Sequence, residues 1–254
     1  MRVPKSIYCL KQINQYFYKE DLSKLKVNFV NTMKKTAIIL GATGLTGNIL
    51  LNRLLIDPSY EKVILFSRSK IQIESPKIEE HIIDLFELEK HAKYFVGDVV
   101  FCCIGTTKAK TPDKETYRKI DFGIPVAAAK LARQNNIDNF IVISAIGADS
   151  TSSVFYNKTK GEMEEAVLEQ GVKNTYVLRP SLIVGNRNER RFGESAASVF
   201  MKLFDFLIPK KYKIIKAETI AEAMHILAAK GYSKLEISSE EIVEIANSKL
   251  DTVK

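Results

Sequence analysis

Apolar and polar residues alternate along this chain in two rhythms. Short, nearly unbroken apolar runs such as Ala37-Ile38-Ile39-Leu40 and Phe140-Ile141-Val142-Ile143 are followed by longer stretches in which apolar residues return every three or four positions. The first rhythm belongs to strands buried on both faces, the second to helices with one buried face. The pattern predicts strands at about 36–40, 62–66, 79–83, 98–104, 139–144 and 175–178. Between them it predicts helices at about 45–56, 112–135 and 153–170, the second kinked at Pro125. Strands alternating with helices build an α/β fold, a doubly wound parallel sheet with helices on both faces and right-handed crossovers.

After Pro180 the rhythm loosens. Residues 185–195 read as a charged loop, 196–208 and 218–229 as helices, 235–237 as a short strand and 240–247 as a last helix. That tail is sized for a small C-terminal lid over about 181–254, not for a separate substrate domain. Residues 1–32 carry only a weak apolar stripe (Ile7, Leu10, Phe17, Leu22, Leu25). They are expected to be a leader, disordered or a loosely docked helix, and Met33-Lys34-Lys35 reads as a natural start for a single domain over 33–254.

The chemistry begins where the first strand ends. Gly41-Ala42-Thr43-Gly44-Leu45-Thr46-Gly47 sets three glycines at three-residue steps between a strand and a helix. Gly41 permits the turn, Gly44 lets a diphosphate approach bare backbone, and Gly47 lets the helix sit close on the sheet. The helix N-terminus offers amides and the positive end of its dipole to phosphate. A Walker loop is excluded, because Gly47 is followed by Asn48 and not by lysine. An enzyme that grips an unphosphorylated ribose carries an acid about 20 residues past the glycines. That count from Gly47 lands on Ser67, with Arg68 next and no acid in Leu65–Lys70. A guanidinium there suits a 2′-phosphate, which points to NADP(H) over NAD(H). Asp84, just past the third strand, is placed either to accept from an adenine amino group or to cap a helix.

Composition narrows the classes. A hydrophobic content of 46% and a mean hydropathy of −0.07 describe a soluble globule. No apolar run approaches the length of a membrane helix. The net charge is +8, but residues 1–32 carry six basic residues against two acids and so hold half of it. The remainder is a solvated surface rather than a nucleic-acid footprint. Three cysteines, two of them adjacent on a strand and facing opposite ways, fit a reducing, cytoplasmic setting. His81, His91 and His225 lack metal-ligand spacing, and there is no Gly-x-Ser-x-Gly elbow.

Tyr156 and Lys160 stand four residues apart on one helical face. A lysine cation favours the phenolate and brings a tyrosine toward useful proton exchange, and it can also reach a ribose. Tyr212 and Lys216 repeat the spacing, but only Tyr156 follows a strand that ends in a serine, Ser144. That hydroxyl can polarise a carbonyl. Ser150, Ser152 and Ser153 are its rivals.

Together, the glycine turn, the strand-end serine and Tyr-x-x-x-Lys resemble the atypical short-chain dehydrogenase/reductases. Cys102-Cys103-Ile104-Gly105-Thr106-Thr107, Ile146-Gly147-Ala148-Asp149, Lys160-Gly161-Glu162 and Arg179-Pro180 are similar to the Tat-interacting-protein type of oxidoreductase, from about Thr36 to Gly193. Leu22-Ser23-Lys24-Leu25 resembles the leader of such proteins. The resemblance implies a Rossmann fold that binds NADP(H) at Gly41, Thr43, Gly44, Leu45, Thr46, Gly47, Ser67, Arg68, Asp84, Leu85, Ile104 and Gly105. It implies Ser144, Tyr156 and Lys160 as the catalytic set, Lys160 also on the ribose, and Pro180 near the nicotinamide. Asp121 stands where many relatives carry an asparagine. The expected reaction is NADPH-dependent reduction of a small carbonyl compound. The alternatives are an NADPH-binding redox-sensing regulator and a sugar-nucleotide epimerase, the latter disfavoured by Ser67-Arg68 and the short tail. No metal, nucleic acid or membrane is expected as a partner, and a homodimer or a protein partner stays open.

Overall fold

A computed structural model describes residues 34–185 and 212–248 of the 254-residue chain. The chain divides into two units, Met1–Met33 and Lys34–Lys254, and everything described lies in the second. The leader and the helix expected at 196–208 lie outside the described residues.

Strand β1 (Lys35–Leu40) leads through the glycine turn into α1 (Leu45–Ile56), then β2 (Tyr60–Ser67), β3 (Ile78–Ile82), a run of tight turns (Leu85–Tyr94) and β4 (Val99–Cys102). Next come α2 (Lys114–Arg118), a wide π-helical turn (Lys119–Gly123) and α3 (Ile124–Gln134). The rest is β5 (Asn139–Ile143), α4 (Phe155–Glu169), β6 (Asn174–Arg179), β7 (Ile183–Val184), β8 (Ile215–Lys216), α5 (Ala217–Lys230), β9 (Glu236–Ser238) and α6 (Ser239–Asn247). The main sheet is parallel throughout and ordered β3-β2-β1-β4-β5-β6-β9, while β7 and β8 pair separately. The order reverses between β1 and β4, so a crevice opens at their C-terminal ends.

Both faces of the sheet's central strands are buried. Ala37 and Ile39 point into a layer with Leu50 and Leu54 of α1, Met224 of α5 and Ile242 of α6. Ile38 and Leu40 point the other way, onto Ala128 and Leu131 of α3 and Met163 and Val167 of α4. Cys102 and Cys103 split between the two layers, as neighbours on a strand must. Burial pushes the Cys102 thiol up to about 11, which leaves it unreactive.

Three differences from the sequence pattern have physical reasons. The stretch 112–135 is not one helix kinked at Pro125. The break is the π turn before it, and Pro125 sits in the first turn of α3, where its missing N–H costs nothing. Residues 85–94 are helical, started by Asp84, whose Oδ1 accepts from the Phe86 amide at 2.9 Å. Of the expected lid, residues 181–185 and 212–248 are described, and most of the second stretch is core: β9 extends the main sheet beside β6, and the apolar faces of α5 and α6 are buried on it. Ile220, Met224 and Leu227 mark that face, but their partner α1 lies far away in sequence.

Helix α4 is pinned on three sides. Arg179 of β6 holds Glu164 of α4 and Glu236 of β9 (2.6 Å), and Arg118 of α2 holds Glu162. At Gly161 the loop after β5 comes so close that a Cβ would lie 2.1 Å from the Ser150 amide nitrogen. We expect Gly161→Ala to cost about 1–3 kcal/mol in urea denaturation, by overpacking. Gly123→Ala serves as the control. Its backbone is helical and a Cβ would meet nothing nearer than 4.0 Å, so stability should hold or rise by up to about 1 kcal/mol.

Candidate active site

The crevice at the switch point is one continuous cleft made of two cavities, of about 880 and about 1040 Å³. They share Gly44, Leu45, Cys103, Ile104 and Gly105. Gly41 turns out of β1 at φ +88°, and a Cβ there would lie 2.8 Å from the Cys103 carbonyl oxygen, so only glycine fits. A Cβ on Gly47 would lie 2.2 Å from the Gly41 oxygen, so the first turn of α1 is folded onto the loop. Gly44 is the N-cap of α1, and no side chain caps that helix. Its first amides therefore face the shared part of the cleft with no side-chain acceptor.

The larger cavity is lined by Gly41, Thr43, Arg68, Asp84, Leu85 and Phe86. Two residues expected on the coenzyme stand behind the wall. Gly47 lines neither cavity and packs against Gly41. Ser67 is buried, and its hydroxyl donates to the Ser69 carbonyl at 2.8 Å. Glu80 of β3 holds the same turn by accepting from the Ile71 amide at 2.8 Å. The turn thus presents Arg68, exposed, to the cavity. Of the two roles expected for Asp84, the cap is present, one oxygen accepting from the Phe86 amide, and the residue also lines the cavity. Phe86 was missed by sequence reasoning. It is half exposed on this wall, and a lone aromatic in a polar stretch is no signal by itself.

The smaller cavity brings Ser144, Tyr156, Lys160 and Pro180 together with Thr46 and Asp121. Ser144 follows β5, its amide held by the Leu178 carbonyl at 2.7 Å. Its Oγ is buried and has no hydrogen-bond partner among the described residues. Two of its three rivals are engaged elsewhere: the Ser150 hydroxyl donates to Glu165, and that of Ser152 accepts from the Val154 amide. Tyr156 opens α4 with its ring 40% exposed, edge-on to Tyr117 at 6.4 Å. Tyr212 and Lys216 line neither cavity.

Lys160, one helical turn after Tyr156, is almost wholly buried, and its Nζ lies 3.0 Å from Asp121 Oδ1 and 3.4 Å from the Ile143 carbonyl oxygen. Asp121 is fully buried, and its other oxygen accepts from the Thr106 amide at 2.8 Å. The π turn is what swings Asp121 inward, a local irregularity of the kind found at functional sites. Burial alone would pull the Lys160 ammonium down. The Asp121 carboxylate, joined by Tyr156, outweighs it and holds the lysine above its ordinary range.

These residues fit a dinucleotide. A glycine-only turn and an uncapped helix end suit a pyrophosphate. Arg68 and Asp84 flank the far cavity, and the orphaned Ser144 hydroxyl marks a place for a polar ligand atom at the near one. Among the described residues no cluster of side chains could hold a metal ion. No described helix is long and apolar enough to cross a membrane.

Comparison with known proteins agrees with this geometry. A family model described as NAD(P)H-binding matches residues 41–200. Protein HTATIP2 of Rattus norvegicus is 31% identical over 86% of this chain and 91% of that protein. Protein FMP52-1, mitochondrial, of Scheffersomyces stipitis is 34% identical over 60% of this chain and 69% of that protein. Among solved structures, the UDP-glucose 4-epimerase of Thermotoga maritima superposes with a TM-score of 0.60 at 14% identity, over 84% of this chain and 81% of that one. So low an identity speaks for the fold alone.

The Lys160–Asp121 pair makes a stability prediction. Asp121→Asn leaves a buried ammonium without its counter-charge and should cost about 3–5 kcal/mol in chemical denaturation. Adding Lys160→Met should recover most of that loss. In the wild type the contribution should hold at neutral pH. Because the folded lysine sits above its unfolded value, it should be lost only as pH rises beyond the ordinary lysine range.

Proposed function

Because the chain belongs to the NAD(P)H-binding family, as an atypical short-chain dehydrogenase/reductase of the Tat-interacting-protein type, we propose that it is an NADPH-dependent oxidoreductase that reduces a carbonyl compound, with Tyr156 as proton donor. The observation that carries this reading is the unpartnered, buried Ser144 hydroxyl in the same cavity as Tyr156 and Lys160, continuous with the glycine turn. When bound, the reduced coenzyme supplies the hydride. The Ser144 hydroxyl would donate to the substrate's carbonyl oxygen and polarise it. The Tyr156 hydroxyl would deliver the proton to that oxygen, and solvent would return a proton to the phenolate. Lys160, steadied by Asp121 and the Ile143 carbonyl, keeps a cation beside the site for the ribose hydroxyls.

What supports the phosphorylated coenzyme is Arg68, which lines the far cavity where no acid from β2 stands. Glu80, an acid beside that turn, is engaged with Ile71 and Ser67. Reduced thiols fit a cytoplasmic setting, while the fungal relative's name assigns that protein to mitochondria, so either reducing compartment suits this chain.

One observation favours a second reading, a coenzyme-binding regulator with little turnover. Asp121 neutralises much of the Lys160 charge that would otherwise favour the Tyr156 phenolate. A homodimer or protein partner would belong to that reading.

Two measurements test these assignments. Arg68→Ala should weaken NADPH binding by about 10- to 100-fold and NADH binding little, read by quenching of coenzyme fluorescence. Equal weakening of both would remove the case for a 2′-phosphate. Tyr156→Phe should abolish NADPH consumption across a panel of aldehydes and ketones and leave NADPH binding nearly intact. Full activity in that variant rejects the mechanism. Tight NADPH binding by a wild-type protein that consumes none of it on the same panel selects the regulator.

A further inference from the structure

We propose that the substrate end of the cleft takes a carbonyl compound with an apolar body and an anionic end group, the anion held at the mouth by Lys108 and Lys114. This rests on the carbonyl-reducing reading above and names the substrate class for it.

The smaller cavity joins a buried polar cluster to an apolar wall. Ser144, Lys160 and Asp121 form the buried cluster, and Tyr156, 40% exposed, lines the cavity with them. The walls leading outward are Ile146, Val154, Phe155, Leu182 and Ile183. Val154 keeps 54% of its surface exposed, and Ile146 and Leu182 keep 36% each. Such walls gain by covering an apolar chain or ring. A sugar placed against them would strip water from hydroxyls and return no hydrogen bonds.

The charges are laid out in the same direction. Lys108, Lys114 and Lys160 are the described cations on this cavity, and Asp121 is its described anion. Lys160 and Asp121 cancel one another, so the two outer lysines set the sign of the mouth. Among the described residues neither outer lysine is in an ion pair. The acids beside Lys114 are engaged: Asp113 accepts from the Thr116 amide at 2.7 Å, and Glu115 pairs with Lys119 at 2.7 Å. The Lys114 ammonium stands 5.4 Å above the Phe155 ring, so it lies where the apolar wall ends. A positive mouth over low-dielectric walls draws anions in and holds them better than open water would. One molecule satisfies all three zones: a carbonyl inside, hydrocarbon along the walls, and a carboxylate or phosphate outside.

Unreactive amphiphiles test this without turnover. The NADP⁺-loaded protein is titrated calorimetrically with octanoate, octyl phosphate and octanol. Either anion should bind about tenfold or more tighter than octanol. Whichever anion binds better tells carboxylate from phosphate as the end group. Lys108→Met with Lys114→Met should erase the preference and leave octanol binding unchanged, since both side chains are exposed. The proposal is overturned if octanol matches the anions, if the preference survives the double substitution, or if none of the three binds a protein that does bind coenzyme. If no coenzyme is taken up, the reading of the site as a reductase fails separately. The same three titrations on the protein alone then decide the charge preference by the same comparison.

Discussion

A positive charge sits in the middle of this fold with almost no access to water, and the site is arranged around keeping it there. Removing an ammonium from water is costly unless a counter-charge and further acceptors replace the lost hydration. Asp121 and the Ile143 carbonyl do so for Lys160. Asp121 reaches that position only because the helix before α3 widens into a π turn, and its second oxygen is fixed by the Thr106 amide in the loop after β4. That loop is also a wall of both cavities. One carboxylate therefore ties together the coenzyme's side of the cleft, the helix that carries Tyr156, and the end of β5 beside Ser144.

Much of the frame was legible from residues that act locally. Apolar runs such as Ala37–Leu40 reveal strands buried on both faces because both layers leave a mark in adjacent positions. Helix α1 was expected at 45–56 from apolar residues at helical spacing, and it lies there. What escaped was set at a distance. β9 is three residues long and belongs to the sheet only because Leu178 pairs with Ile237 across more than fifty residues. Much of the described tail that read as a lid is core for that reason. Asp121 was noticed only as a departure from an expected asparagine. Its partnership with Lys160 depends on a π turn that no periodicity announces. Ser67 and Arg68 show the same limit at finer grain. Counting reached the right turn, but which of two neighbours faces the cleft was settled by the Ser67 hydroxyl finding the Ser69 carbonyl.

The motifs shared with the Tat-interacting-protein type have a packing explanation beside any chemical one. Gly147 and Gly161 allow the loop after β5 to lie against α4. A Cβ on Gly147 would meet Asn157 at 2.9 Å, and one on Gly161 would meet the Ser150 amide. Glu162 is held by Arg118, and Arg179 by Glu164 and Glu236. These contacts set the position of the Tyr156–Lys160 helix relative to Ser144. Orientation of reacting groups is a large part of what such a site can contribute to rate, so residues that touch no ligand can still decide it.

The sheet fixes where a dinucleotide lies much more firmly than it fixes what lies beside it. The glycine turn, the uncapped end of α1 and the order reversal between β1 and β4 are backbone features that recur on this architecture whatever the substrate, which is why a sugar-nucleotide epimerase can share the fold at 14% identity. Much of the opposite wall is made of side chains on loops: Ile146 and Val154 after β5, Leu182 after β6 and Lys108 after β4, with Lys114 opening α2. Loop side chains can change without disturbing a buried sheet, so specificity has to be read there. With the inner charges paired and the middle apolar, little but the two outer lysines remains to choose among ligands by charge. They act near the surface, where screening by salt is strong. Discrimination between an anionic substrate and its neutral analogue should therefore weaken as ionic strength rises, whereas binding that comes from the apolar walls should not.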